Sequence, residues 1–466
     1  MTVPSWVSDS VFYQIFPDRF ANGDPGNDPP NVQAWGAKPT LWDFQGGDLQ
    51  GIIDRLDYLH DLGVTAIYLN PIFLSPSNHR YNTTNYYRID PKLGDLDDFQ
   101  RLLGSAHERG FKLILDGVFN HCGRGFFAFV DVLENGERSP YKDWFHIREF
   151  PLQAFGPGDA ENYTGWWKFK SLPKFNTDNP EVREYLFDVA SYWIEQGIDG
   201  WRLDVPNEID DDSFWAEFRR RVKGINPEAY LVGEIWESDL RWVGDDHFDG
   251  LMNYPVRTAL LDLLEGGSAS EFSDRIGELV ELYPDAHNRA HYVPLGSHDT
   301  PRFMTLMGGD ARKVHFAMSF IFCYLGAPAV YYGDEIGLEG GKDPDCRRAF
   351  PWDPGRWDQG LRDHVRHVAW RRRENPILRQ GSFTPIFAAD SPRVMLFHRE
   401  HDGHSGILAM HTGDKAWRGS IPLEVDTGWG AELSLQDILG GPGASFKDGT
   451  LSLSLEGYRG AFLVPE

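Results

Sequence analysis

Three acids stand at the ends of short apolar runs, where side chains from separate strands can meet in one pocket. Asp204 ends Gly200-Trp201-Arg202-Leu203-Asp204, Glu234 ends Leu231-Val232-Gly233-Glu234, and Asp299 closes Gly296-Ser297-His298-Asp299. Two flanking carboxyls are what breaking a glycosidic bond requires, one as nucleophile and one as proton donor. Cleavage of a bond between sugars is the chemistry these residues point to.

Acids so far apart in sequence need a scaffold that gathers strand ends. Strand-like runs fall at 11–16, 66–70, 112–118, 200–205, 230–235, 250–254, 292–295 and 329–332. Amphipathic helical patterns lie between them at 49–62, 96–109, 182–196, 214–222, 271–282 and 311–325, with a last one at 361–373. Repeated alternation predicts a parallel sheet covered by helices. Eight such units suit an α/β (β/α)8 TIM barrel, whose active site lies at the carboxyl face of the strands. Its expected extent is 1–121 and 180–380.

Between 122 and 179 the chain is rich in Gly, Pro and aromatics and has little helical periodicity. A loop that long is usually functional, and a small lid-like subdomain after the third strand is expected. From 381 to 466, short alternating runs separated by Gly-rich turns predict a C-terminal antiparallel β-sandwich.

Composition excludes several classes. The 466 residues carry 45 basic against 70 acidic side chains, a formal net charge of −25. That balance argues against nucleic acid and anionic membranes as partners. The N-terminal residues lack the basic and apolar regions of a secretion signal. The longest apolar stretch, 314–330, is interrupted by His315 and Pro328, so no bilayer span is expected. Cys122, Cys323 and Cys346 match no zinc or disulfide framework and read as reduced thiols of a cytoplasmic protein. No organic cofactor is expected. The arginine runs 219–221 and 371–373 lie on helical patterns and read as solvated faces.

The local runs resemble a known family. Asp116-Gly117-Val118-Phe119-Asn120-His121, Gly200 to Asp204, Glu234 and His298-Asp299 are similar to the four ordered motifs of the α-amylase family of glycoside hydrolases. Leu172-Pro173-Lys174-Phe175-Asn176 resembles the family's extra motif in the loop after the third strand. The run Gln14-Ile15-Phe16-Pro17-Asp18-Arg19-Phe20-Ala21-Asn22-Gly23-Asp24, Asn207-Glu208, Trp236 and Asp343-Pro344-Asp345-Cys346-Arg347-Arg348 resemble the neopullulanase, cyclomaltodextrinase and maltogenic amylase branch. Members of that branch usually carry a β domain ahead of the barrel. Here the barrel begins about ten residues after Met1, so a monomer is expected, with a homodimer as the alternative.

The resemblance implies a retaining mechanism on α-1,4-linked glucans: malto-oligosaccharides, with cyclodextrins, pullulan and starch as further candidates and some transglycosylation. Asp204 would form the covalent glycosyl-enzyme and Glu234 would protonate the leaving oxygen. Arg202, two residues before Asp204 on the same face, can hold Asp204 ionised. Asp299, His121 and His298 would grip one sugar, with Tyr81 stacked beneath it. Asp116 would orient Arg202. Asp343 and Arg347 would hold the next sugar on the non-reducing side, and Asn207, Glu208 and Trp236 the acceptor side. An α-glucanotransferase, a sucrose-acting enzyme and an α-1,6-glucosidase use the same acids and remain alternatives. A non-catalytic glucan-binding chain would be expected to lack one of the acids.

Asn22, Asp24, Asn27 and Asp28 crowd oxygen donors into one short loop, with Gly46 and Asp48 arriving from Phe44-Gln45-Gly46-Gly47-Asp48. Such a loop is either a polar turn or a site for Ca²⁺, which favours oxygen ligands. The resemblance implies a structural calcium here.

Overall fold

The computed structural model describes residues 3–466. Eight short strands form one parallel sheet: β1 (Phe12–Ile15), β2 (Ala66–Leu69), β3 (Lys112–Gly117), β4 (Gly200–Leu203), β5 (Tyr230–Gly233), β6 (Gly250–Leu251), β7 (Tyr292–Pro294) and β8 (Ala327–Tyr331). Their order is β6-β5-β4-β3-β2-β1-β8-β7. A parallel bridge between Met252 and Tyr292 joins the two outer strands and closes the barrel. Nearly every strand residue is buried, because helices cover one face and barrel-filling side chains the other.

The helices form for local reasons. In Leu96–Glu108 a reciprocal capping box of Asp95 and Asp98 secures the start, and Phe99, Leu102, Leu103 and Ala106 make the stripe that meets the sheet. The single helix expected over 49–62 is two, Leu49–Ile53 and Leu56–Leu62, because Arg55 leaves helical geometry at φ −111°, ψ 4°. The apolar spacing runs through the break, since both pieces bury leucines on the same core. The strand expected over 250–254 stops at Leu251, and a helix, Tyr254–Leu264, follows it. Its start was written in Asn253, which caps the Val256 amide, and in Pro255 in the first turn.

The arginine expectation fails at two positions. Arg219 is buried against Asp249, with Nη2 at 2.9 Å from Oδ1. Arg372 is fully buried and donates to the carbonyls of Phe322, Leu378 and Ser8 at 3.0, 2.7 and 3.1 Å. Both guanidiniums lie inside because they find oxygen partners there.

The excursion after β3 contains a helix, Phe127–Asn135, which its Gly- and Pro-rich surroundings concealed. It folds back through bridges from His121 to Lys174 and from Phe145 to Phe175. Beyond residue 381 an eight-stranded antiparallel sheet runs from Thr384–Ala389 to Arg459–Pro465. Period-two alternation divides its faces. Met395, Phe397, Leu408 and Met410 join the core shared with the barrel, while Val394, Leu396, Ile407 and Ala409 face an inner cluster. That cluster also takes Ile421, Leu435, Phe446 and Leu453 from the far half of the sheet. The sheet is thus folded over itself as a sandwich.

Candidate active site

Strand register places the first acids. Asp116 on β3 pairs with Arg202 on β4, and Leu203 pairs with Gly233 on β5. Asp204 and Glu234 are therefore the first residues beyond neighbouring strand ends. Their amides still continue the ladders, donating to Gly117 O at 3.1 Å and Leu203 O at 3.0 Å. Two carboxyls held this way by backbone have little freedom to drift apart.

Arg202 is the hub. Its buried Nη1 donates to Asp116 Oδ1 and Asp204 Oδ1, both at 2.9 Å, and Nη2 lies 2.8 Å from Glu234 Oε1. The contact to Glu234 lacks hydrogen-bond alignment. Three carboxyls surround one guanidinium, so full ionisation would leave a buried excess of negative charge. Burial pushes both Asp204 and Glu234 up, against the pull of Arg202, and Glu234 reaches about 7. The two titrate as a pair. We place the shared proton on Glu234, because Asp204 accepts an aligned, charge-assisted bond from Arg202 and Glu234 does not. Among the described residues, Glu234 Oε2 accepts only the Val205 amide, at 3.1 Å.

Asp299 differs in setting. Its side chain is 36% exposed, against 8% for Asp204 and 4% for Glu234, so it opens to the cleft. Burial of its surroundings would raise the carboxyl, but His298, Arg347 and Arg202 outweigh that and hold it low. Arg347 Nη2 donates to Asp299 Oδ1 at 3.2 Å. Burial pushes His298 down to about 3, so the ring is a neutral donor and Arg347 is the lasting charge. Gln14 Nε2 faces His298 Nδ1 at 3.0 Å, which assigns the ring proton to Nε2. From there it reaches Tyr81 Oη at 2.6 Å and Asp299 Oδ2 at 3.1 Å.

Tyr81 stacks on His298 with centroids 5.2 Å apart and planes 2° from parallel. Its hydroxyl donates to Asp116 Oδ2 at 2.6 Å, beside the Tyr68 hydroxyl at 2.5 Å. Asp116 has no free oxygen for chemistry, and its place is support. His121, whose burial pushes it down to about 3, faces the Tyr81 carbonyl through Nε2 at 3.1 Å. Arg347 also meets Asp343, Nη1 to Oδ1 at 3.0 Å.

On the other side, Trp236 is half-exposed and lies flat on Tyr254, centroids 3.9 Å apart at 3°. Asn207 is exposed just past Asp204, and Glu208 accepts from Lys174 Nζ at 3.2 Å. One residue escaped the sequence reading. Trp166 stacks on His121 at 5.1 Å and on Trp167 at 4.8 Å, and its buried Nε1 has no partner among the described residues. An indole donor left unsatisfied beside His121 is an exception to the usual pairing of buried polar groups. The only signal was a Trp pair in a loop without periodicity.

The oxygen-rich loop follows the short helix Pro17–Phe20. Asp48 is committed to backbone amides, accepting from Gly51 at 2.6 Å and Asp24 at 2.8 Å. Asn22 and Asp28 meet at 2.9 Å. Gly46 has φ +81°, and a Cβ there would stand 2.2 Å from Asp28 Oδ1. Asn27 Oδ1 is buried without a partner among the described residues. Burial raises Asp28, and the Asp24 charge adds to it. Among the described residues, no three His, Cys, Asp or Glu side chains form a metal cluster by themselves.

The description "Alpha amylase, catalytic domain" matches residues 14–377. The chain belongs to the alpha-amylase family. It is 45% identical to a cyclomaltodextrinase of Geobacillus thermopakistaniensis over 98% of its own length and 76% of that protein. The alpha-amylase fold is shared with a cyclic alpha-maltosyl-(1→6)-maltose hydrolase from Arthrobacter globiformis, at TM-score 0.91 and 39% identity, over 99% of this chain and 100% of that one. A debranching enzyme from Nostoc punctiforme superposes at TM-score 0.89 and 41% identity, over 100% of this chain and 99% of that one.

Proposed function

We propose that this alpha-amylase family member hydrolyses α-1,4-linked gluco-oligosaccharides with retention of configuration. The observation that carries the reading is the single guanidinium of Arg202 spanning Asp116, Asp204 and Glu234 at adjacent strand ends. Oδ1 of Asp204 is tied to Arg202, which leaves Oδ2 to attack the anomeric carbon. As that bond forms, the bond to the leaving sugar breaks and Glu234 gives its proton to the departing oxygen. Glu234, now a carboxylate, takes a proton from water. The water oxygen attacks the same carbon, and Asp204 leaves with its electron pair. Asp299, His298, His121 and Tyr81 hold the reacting ring. Trp236 and Asn207 offer an aromatic face and an amide to the acceptor, so some transfer to a second sugar accompanies hydrolysis.

Incubation with maltotriose, β-cyclodextrin, pullulan and the cyclic α-maltosyl-(1→6)-maltose tetrasaccharide, with product identification, tests this reading. Cleavage of α-1,4 bonds is expected throughout. Cleavage confined to α-1,6 bonds would contradict it and favour a debranching role.

Asn22, Asp24, Asn27, Asp28, Asp48 and the Gly46 carbonyl suit Ca²⁺, whose charge would answer the Asn27 oxygen, partnerless among the described residues, and the raised carboxyl of Asp28. The ion would pin the loop after β1 and take no part in bond cleavage. Chelation is expected to lower Tm by about 5 °C or more, as loss of a native-state ligand does. kcat should change little at temperatures where the stripped protein stays folded. An unchanged Tm after complete metal removal would show that the loop is only a turn.

A further inference from the structure

We propose that Trp42 is a binding platform for a glucose unit beyond Asp343 and Arg347 on the non-reducing side of the cleft. The proposal rests on the glucan reading above and extends it to chain length. Trp42 is 82% exposed, the most exposed of the large apolar side chains among the described residues. Tryptophan is on average a largely buried residue, and with Leu41 beside it at 50% exposure the turn presents an apolar face to solvent.

The turn is held from behind by buried polar side chains. Arg19 is almost fully buried, and its Nη2 donates to Asp43 Oδ1 at 2.7 Å and to Asp43 O at 3.1 Å. Asn78 Nδ2 donates to the same carbonyl at 2.6 Å and lies 3.4 Å from the carbonyls of Thr40 and Leu41. Within the turn, Asp43 Oδ2 accepts the Thr40 amide at 2.9 Å, and Thr40 Oγ1 accepts the Trp42 amide at 3.2 Å. Ordering energy is thus already spent on the backbone, and a ligand need only settle on the ring.

The same pins locate the turn. Arg19 Nη1 also reaches the Arg347 carbonyl at 3.3 Å, so one guanidinium spans Asp43 and the arginine that grips Asp299 and Asp343. Asn78 precedes His79, whose ring stacks on Tyr81 with centroids 6.0 Å apart. The turn therefore abuts both walls of the non-reducing end, the Tyr81 wall and the Arg347 wall. A glucan that lies on Tyr81 and passes Arg347 leaves the cleft beside Leu41 and Trp42. The apolar face of a pyranose ring matches an exposed indole, as aromatic side chains with one wet edge do at interfaces. The occupant is a linear α-glucan of more units than the two walls hold.

The test compares maltohexaose with maltotriose. Trp42→Ala should lower kcat/KM for maltohexaose about tenfold, the factor lost with one good ring contact. The loss should fall on KM, with kcat and all maltotriose parameters unchanged, and Trp42→Phe should restore most of it. In the Asp204→Asn background, calorimetry should show the same weakening for maltohexaose alone. Equal loss on both sugars, or none on maltohexaose, would overturn the platform. Failure of the unsubstituted chain to cleave either sugar would overturn the glucan reading itself.

Discussion

Asp204→Ala is expected to lower kcat on maltotriose by about 10⁴-fold or more, the scale on which a lone nucleophile matters. The fold should survive. Arg202 has two other acidic neighbours in the parent, Asp116 at 2.9 Å and Glu234 at 2.8 Å, and these remain to compensate it when Asp204 is removed. The cost of about 3–5 kcal/mol for stranding a buried charge does not arise. Thermal denaturation should therefore show a Tm near that of the parent, and calorimetry should still detect substrate. Turnover within about tenfold of the parent would contradict the assignment.

Glu234→Gln separates proton donation from the rest. Its loss should reach about 10³-fold on maltotriose, whose leaving sugar needs a proton. The loss should be much smaller on a dinitrophenyl α-glucoside or maltoside, whose leaving group departs as a stable anion. The pH profile supplies the second reading. Burial raises Glu234 to about 7, and the group acts in its protonated form. Activity on maltotriose should thus be present below that value and fall as pH rises through about 7. Asp204 must be ionised, so protonation of the pair sets the acid limb. With the activated aryl substrate, formation of the glycosyl-enzyme by Glu234→Gln should lose the alkaline limb. An unchanged limb in the variant would assign it to another group.

The sequence disclosed most of what positions this chemistry. Barrel strands buried on both faces read as bare apolar runs, so all eight stood out, and the acids that follow them were legible with them. Helix ends were harder. The break at Arg55 is invisible to periodicity because both halves face one core, whereas Asn253 and Pro255 signalled a start that the apolar run before them masked. Arg219 and Arg372 looked like solvent-facing charge because their partners, Asp249 and a set of carbonyls, are distant in sequence. Trp166 and Trp42 belong to irregular loops. No repeat marks such residues, and only tertiary contacts show which wall of the cleft they join. The link from Asp116 through Tyr81 to His298 likewise runs across three strand ends, and the residue types alone disclosed only its members.

A double displacement at one carbon retains its configuration, and the anomer first released by hydrolysis reports it directly. Proton NMR during the first moments of maltotriose or maltohexaose hydrolysis, before mutarotation, should show the α-anomer of the product that carries the cleaved carbon. A β-anomer as the initial product would mean a single displacement by water and would contradict Asp204 as nucleophile.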